Sequence, residues 1–471
     1  MQPLAIIGAG AGRVLLLRAS AILRALSKGH CAITTATQQT DAAAKPHGPF
    51  APFAISQFRW LFMGNVAFFF AMQGQMLTRT ILAWDLTGQA TSLAYINLVV
   101  AVPMIFASLV GGAITDRVER RQLVITGQCL ILLNDLIILA LLLTDQLQFW
   151  HMLCTAFVAG CAFPFIMPAR MAITATVVGP SLIQSAMAFG AGVLNLSRVF
   201  GPAIMGVLIA VYSVNGAYFL SVTLYATAIA CMFGVGQSRS KPKEESNKAL
   251  LADIGDGFRY IASNRPVLIT LAFGLVPMFL AMPFQSILVV LAEQAWQVGE
   301  GGLGTLMAVG GIGGVMGSIW IVKRGDKAER FKLMIVSTIA FGIFLAITTQ
   351  VSNFYLAFIP LLLANMCASA SQTVNNATIQ LLVEDRMRGR MSSFMLLSFA
   401  LTPIGVFPMA VATDRIGAAN AIVGASILLV LTVIAFVILS KTLRGLDGIV
   451  TTKLASNAAS AGTVARASVA S

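Results

Sequence analysis

Long apolar runs separated by short polar turns recur through this chain, and their lengths predict its architecture. Twelve stand out, over about 59–82, 92–115, 122–143, 149–170, 184–211, 215–236, 266–291, 301–322, 332–350, 354–380, 391–413 and 418–440. Each can cross a hydrocarbon core of ~30 Å as a helix rising ~1.5 Å per residue. Backbone groups in lipid must pair among themselves, which leaves helices or closed barrels. Unbroken apolar runs, rather than alternating ones, select helices. The pattern therefore predicts an all-α integral membrane protein of twelve transmembrane helices.

The polar punctuation groups these runs. The longest hydrophilic interruption, 237–265, separates six runs from six, predicting two six-helix bundles at 53–236 and 266–440 with a cytoplasmic linker between them. A tail follows at 441–471, and residues 1–52 form a basic extension in which Arg13, Arg18, Arg24 and Lys28 interrupt every apolar piece before it could span. Both an amphipathic surface helix and a poorly ordered extension remain open for that segment.

Composition and charge sharpen this reading. The chain is 58% hydrophobic and only 10% charged, where soluble domains are about a quarter charged. A net charge of +13 would suggest nucleic acid for a soluble protein, but its distribution argues otherwise. With the N-terminus in the cytoplasm, 28 of the 31 Lys and Arg residues fall on the inner side. Arg79 and Arg415 alone lie outside, and Arg198 sits within a span. That asymmetry predicts cytoplasmic N- and C-termini and no nucleic-acid partner. Six scattered cysteines and three histidines show no ligand spacing, so neither a metal nor a cofactor is expected.

One short turn carries a signature. Gly111-Gly112-Ala113-Ile114-Thr115-Asp116-Arg117-Val118-Glu119-Arg120-Arg121 resembles the loop motif Gly-x-x-x-Asp-Arg-x-Gly-Arg-Arg of the major facilitator superfamily. Gly112, Asp116, Arg117, Arg120 and Arg121 match it, and Glu119 replaces a glycine. Arg386-x-Arg388-Gly389-Arg390, Phe58-Arg59, Trp84-Asp85-Leu86-Thr87-Gly88 and Gly201-Pro202 resemble a bacterial exporter branch that includes siderophore and macrolide efflux proteins. The likeness covers roughly 53–440. It implies the major facilitator fold, a bacterial inner-membrane location and a monomer in the lipid bilayer. It also implies a cytoplasmic latch. Asp116 would cap the helix starting near Met391, and Arg117, Arg120, Arg121, Arg386, Arg388 and Arg390 would hold acids or lipid phosphates. The blander alternative is that these charges serve topology alone. Ser197 and Met205 stand where the antiporter motif of this superfamily has glycine.

Polar side chains inside spans are costly and mark candidate function. Asn365, Ser369, Gln372, Asn376 and Gln380 recur every three or four residues, placing them on one helical stripe. That stripe could line a substrate cavity or bind a neighbouring helix. Gln73, Gln75, Arg79 and Asn195 are further cavity candidates. Asp135 and Arg198 lie at matched depth, so they are candidates for coupling and for an ion pair with one another. Glycines from Gly299 to Gly317 predict close helix packing. The reading that unites these features is a secondary transporter, not an enzyme, exporting a small amphipathic molecule in exchange for protons. Siderophore or lysophospholipid transport and import are alternatives within it; a non-transporting sensor or scaffold would call for an effector domain.

Overall fold

The computed structural model describes residue 48 and residues 50–236, 259–324, 329–384, 387 and 402–452; over 108–117 and at 300 it describes the backbone alone. The chain divides into two compact units, Met1–Ala54 and Ile55–Ser471. In the first, a 3-10 turn spans Ala51–Ala54, and the Phe50 and Phe53 rings lie 6.5 Å apart. All other elements belong to the second.

Helices α1 (Ser56–Thr87), α2 (Ala90–Arg117), α3 (Arg120–Leu143), α4 (Phe149–Val178) and α5 (Ile183–Phe233) form the first half. The second half comprises α6 (Arg265–Leu280), α7 (Phe284–Leu291), α8 (Gly299–Arg324), α9 (Arg330–Gln350), α10 (Phe354–Leu382), α11 (Thr402–Ile416), α12 (Ala418–Leu439) and the short α13 (Lys441–Arg444). Among the described residues, nine helical segments are long and apolar enough to cross a membrane. Helix α5 counts once among them although Ser213, at φ 59°, breaks it into two arms. The arms match the runs predicted at 184–211 and 215–236.

Local signals explain the boundaries. Gly88 closes α1 in the left-handed region (φ 63°), where its N–H donates to Trp84 O at 2.7 Å. Asn353 starts α10 by accepting from the N–H groups of Tyr355 and Leu356 at 3.0 and 3.2 Å. Pro266 at the first turn of α6 follows the Asn264 cap.

The helix ends gather at two faces. At the arginine-rich end, Arg121 donates to Met232 O and Phe233 O, and the Phe331 N–H donates to Asp447. At the opposite end, Trp296 Nε1 donates to Val351 O at 2.8 Å and the Ala418 N–H to Gln294 Oε1 at 3.1 Å.

The halves meet along two seams, α5 against α8 and α2 against α11. Lipid offers apolar side chains no hydrophobic gain from leaving it, so close packing decides such seams, and small residues permit it. A Cβ on Gly304 would fall 2.9 Å from Gly206 Cα, and one on Gly311 2.9 Å from Val199 Cα. Gly313 and Gly317 instead press against the α10 backbone at Leu362 and Met366. The glycine run thus serves two neighbours. Further along α8, Gly314 faces open space, as do Gly190 and Gly192 on α5. The α5–α8 seam is therefore tight towards the arginine-poor end and parts towards the arginine-rich one.

The apolar core repeats this asymmetry. Leu77, Ile81, Leu93, Met205 and Ile209 share one cluster with Ile287, Leu288 and Leu303 of the second half. Phe68, Ile131, Ile166 and Tyr225 form a separate cluster within the first half, as do Leu61, Val124, Ile173 and Met232 nearer the arginine-rich end.

Candidate functional site

Asp135 is the centre of the first half. Helix α3 carries it next to the buried Asn134, and packing against α1 and α5 leaves it 1% exposed. Ser221 Oγ donates to its Oδ2 at 2.6 Å and Gln75 Nε2 at 2.9 Å. Arg79 Nη2 lies 3.6 Å from Oδ1. Gln75 and Arg79 are four residues apart on α1 and so present one face. Ser221 is flanked on the second arm of α5 by the buried Tyr218 and Tyr225. A carboxylate sealed from water needs opposite charge and donors together, and this arrangement supplies both.

The pairing corrects an expectation. Asp135 meets Arg79, not Arg198, which is exposed on the first arm of α5. Sequence spacing gives depth along a helix, but not which way each helix faces its neighbours. Two residues expected in a cavity, Gln75 and Arg79, are thereby joined to one expected in coupling. Gln73 packs near Gly201, and Asn195 is exposed.

A second charge went unnoticed. Arg170, counted in the sequence among inner-surface charges, lies 3% exposed within α4. It donates to Asn65 Oδ1 and to Gly64 O, and its guanidinium stacks 4.4 Å from the Phe68 ring centroid. No salt bridge reaches it among the described residues. Its position eight residues before the end of α4 was the available signal, since a full turn or more of helix separates it from the polar turn.

Helix α10 divides its polar stripe between two roles. Asn365 Nδ2 donates to Leu361 O at 3.0 Å and packs against Gly310 and Gly313 of α8. Ser369 hydrogen-bonds Ser318 of α8 at 2.8 Å. Gln372 and Asn376 instead line a cavity bounded by α6, α9 and α10. Its walls mix Met278, Met282 and Phe341 with Asn375 and Ser371. Ser371 is already satisfied by Thr338 at 2.6 Å.

At the arginine-poor end, the seam between α2 and α11 is closed by an aspartate. Asp414 accepts from the Ala90 N–H at 2.7 Å, from the Thr91 N–H at 2.9 Å and from the Thr91 hydroxyl. These are the orphan donors at the start of α2, and the carboxylate also complements the helix dipole. One turn into α2, the Tyr95 ring lies 6.1 Å from that of Phe407 on α11. This is the chemistry expected of Asp116, found at the other end of the same two helices. Thr91 shortly after Gly88, and an aspartate just before Gly417, are its sequence traces.

The predicted latch itself is only partly visible. Arg121 caps the end of α5 and lies over the Phe233 ring, 5.7 Å from its centroid, so it ties the first half to itself. Arg120 is half-buried beside it. The side chains of Asp116 and Arg117, any packing around Gly112, and Arg386, Arg388 and Arg390 lie outside the described residues.

Comparison with known proteins places this geometry in context. The model of the transmembrane secretion effector family, MFS_3, matches residues 47–457. The chain is 23% identical to the staphyloferrin A transporter of Staphylococcus aureus over 330 residues, covering 70% of this chain and 82% of that protein. It is 25% identical to the multidrug efflux pump Tap of Mycolicibacterium fortuitum over 389 residues, 76% of this chain and 90% of the pump. Among solved structures, the nucleoside transporter NupG superposes with a TM-score of 0.65 at 9% identity, over 81% of this chain and 98% of that one.

Proposed function

Since this chain belongs to the transmembrane secretion effector family of major facilitator transporters, we propose that it exports a small amphipathic organic molecule in exchange for protons. The supporting observation is the pair of seams: tight at the arginine-poor end, with α5 and α8 parted towards the arginine-rich end. With the arginine-rich end in the cytoplasm of a bacterial inner membrane, this is a transporter closed to the outside and open to the inside, ready to load cytoplasmic substrate. The termini are then cytoplasmic, and the chain works as a monomer in the bilayer.

The bundles at 53–236 and 266–440, six crossings each, rock about the linker at 237–265. Loading leads to opening of the Asp414 cap and to closure at the motif around Asp116, where Arg117, Arg120 and Arg121 act with Arg386, Arg388 and Arg390. Asp135 takes up a proton in one state and returns to its Arg79 ion pair in the other. Protonation removes the attraction to Arg79, freeing α1 to shift against α3 and α5. A carboxylate that alternates between a proton and an arginine couples the two movements without any metal or cofactor.

The export half of this reading rests on similarity to the staphyloferrin A transporter and the Tap pump. It is tested by comparing small molecules in cells and medium with and without the gene. A compound accumulating inside cells that lack the gene supports export. One depleted inside and left in the medium overturns it in favour of import.

A further inference from the structure

The cavity in the second half has a chemistry that selects its occupant. It is walled by Met278 of α6, Met282 just after that helix, Phe341 of α9, and Gln372, Asn375 and Asn376 of α10. Among the described residues, every side chain that lines it is uncharged. Methionine walls adapt to irregular apolar shapes.

Asn375 supplies the direction. It is 5% exposed, and its Oδ1 is sealed from solvent with no hydrogen-bond partner among the described residues. Its amide packs directly on Gly274 of α6, where a side chain in place of glycine would collide with it. The neighbouring Thr338–Ser371 pair satisfies itself and offers no donor to spare. A buried amide oxygen without a partner is unfavourable, and a ligand donor there would relieve it. Whichever way the amide is turned, one polar atom at that position lacks its complement. An ionic group fares badly here, because among the described residues no opposite charge lines the cavity to offset its desolvation.

We propose that this cavity is a binding subsite for the exported molecule, and that it takes a neutral, partly apolar group bearing hydroxyl or amide donors. The proposal rests on the transport reading above. It differs from a general inter-bundle cavity in that α9, a helix behind α10, contributes Phe341 and Thr338 to the wall. Anionic or cationic parts of a substrate would have to lie outside it.

The test uses the purified full-length protein in lipid nanodiscs with radiolabelled chloramphenicol, a neutral molecule with an aryl ring, hydroxyls and an amide. Its anionic succinate ester serves as the matched competitor. Saturable chloramphenicol binding should weaken at least tenfold in Asn375→Leu and in Met278→Trp, which fills the cavity. The ester should compete at least tenfold less well than chloramphenicol. Without ligand, Asn375→Leu should melt at or above the wild-type temperature, because it removes an unsatisfied atom; this guards against a merely misfolded variant. Absent binding to wild type, wild-type affinity in both variants, equal competition by the ester or a lowered melting temperature in Asn375→Leu would each overturn the subsite. Export loss on gene deletion tests the underlying reading separately: wild-type export by Asn375→Leu cells would sink the subsite and leave that reading standing.

Discussion

The two halves of the molecule bury different kinds of polarity. The first half holds charge: Asp135 with Arg79, and Arg170 stacked on Phe68. The second half holds neutral amides and hydroxyls around an open volume, with Gln372, Asn375 and Asn376 on its wall. Charge needs fixed partners at short range, so the first half is packed tightly around it. Neutral dipoles tolerate incomplete pairing better, so the second half can keep a cavity. On the proposed function, one bundle responds to protons and the other accommodates a molecule.

The sharpest way to break this contrast is to unbalance the ion pair. Arg79→Met leaves a buried carboxylate without its cation and should destabilise the purified protein by about 3 kcal/mol. That is the lower end for such pairs, because the Arg79 side chain keeps 18% exposure. Adding Asp135→Leu should recover most of that loss in a thermal melt while leaving pH-driven transport dead. If the double variant melts as low as the single one, the pair is not what holds α1 to α3.

Next comes the seam between the halves. Gly304→Val places side-chain atoms where Gly206 Cα and Pro202 O now lie. Overpacking of this kind costs about 1–3 kcal/mol. A single cysteine at Leu306, fully buried here, should then become accessible to a membrane-impermeant thiol reagent from outside. Unchanged labelling would mean that the seam opens elsewhere. A smaller effect follows from Asp414→Ala, which removes the cap on α2 at a cost of about 1–2 kcal/mol. It should raise external labelling near Tyr95, and Asp414→Asn, which keeps the acceptor, should do so less.

The mildest prediction concerns helix glue in the second half. Ser318→Ala leaves Ser369 without its partner at a half-buried site. The loss should be about 1 kcal/mol in a thermal melt, with transport unchanged. A transport defect there would extend the substrate route towards α8.

Sequence and structure agree where the physics is one-dimensional. Hydrocarbon thickness and helix rise predict spans, so 122–143 and 354–380 match α3 and α10 within a few residues. The turn after Arg117 and its basic flank fit the family that the comparison then established. Azimuth is different. Asp135 and Arg198 share a depth, but the rotation of α1 and α5 about their own axes gives the aspartate to Arg79. The stripe on α10 was legible as a stripe, yet its division between α8 and the cavity depends on which neighbour lies beside each turn. Asn375 falls one position from that stripe, and periodicity alone gave no reason to prefer it. Asp414 was missed because a helix cap between two distant segments leaves no local pattern.

The central claim is that Asp135 links protons to export. The direct measurement follows the cellular and external levels of the compound accumulated on gene deletion, in cells carrying wild-type or Asp135→Asn protein, at two external pH values. The account predicts that wild type clears the compound from cells more strongly at the lower pH, where the inward proton gradient is steeper, and that Asp135→Asn shows no such pH dependence. Full clearance by Asp135→Asn with the wild-type response to pH would contradict it.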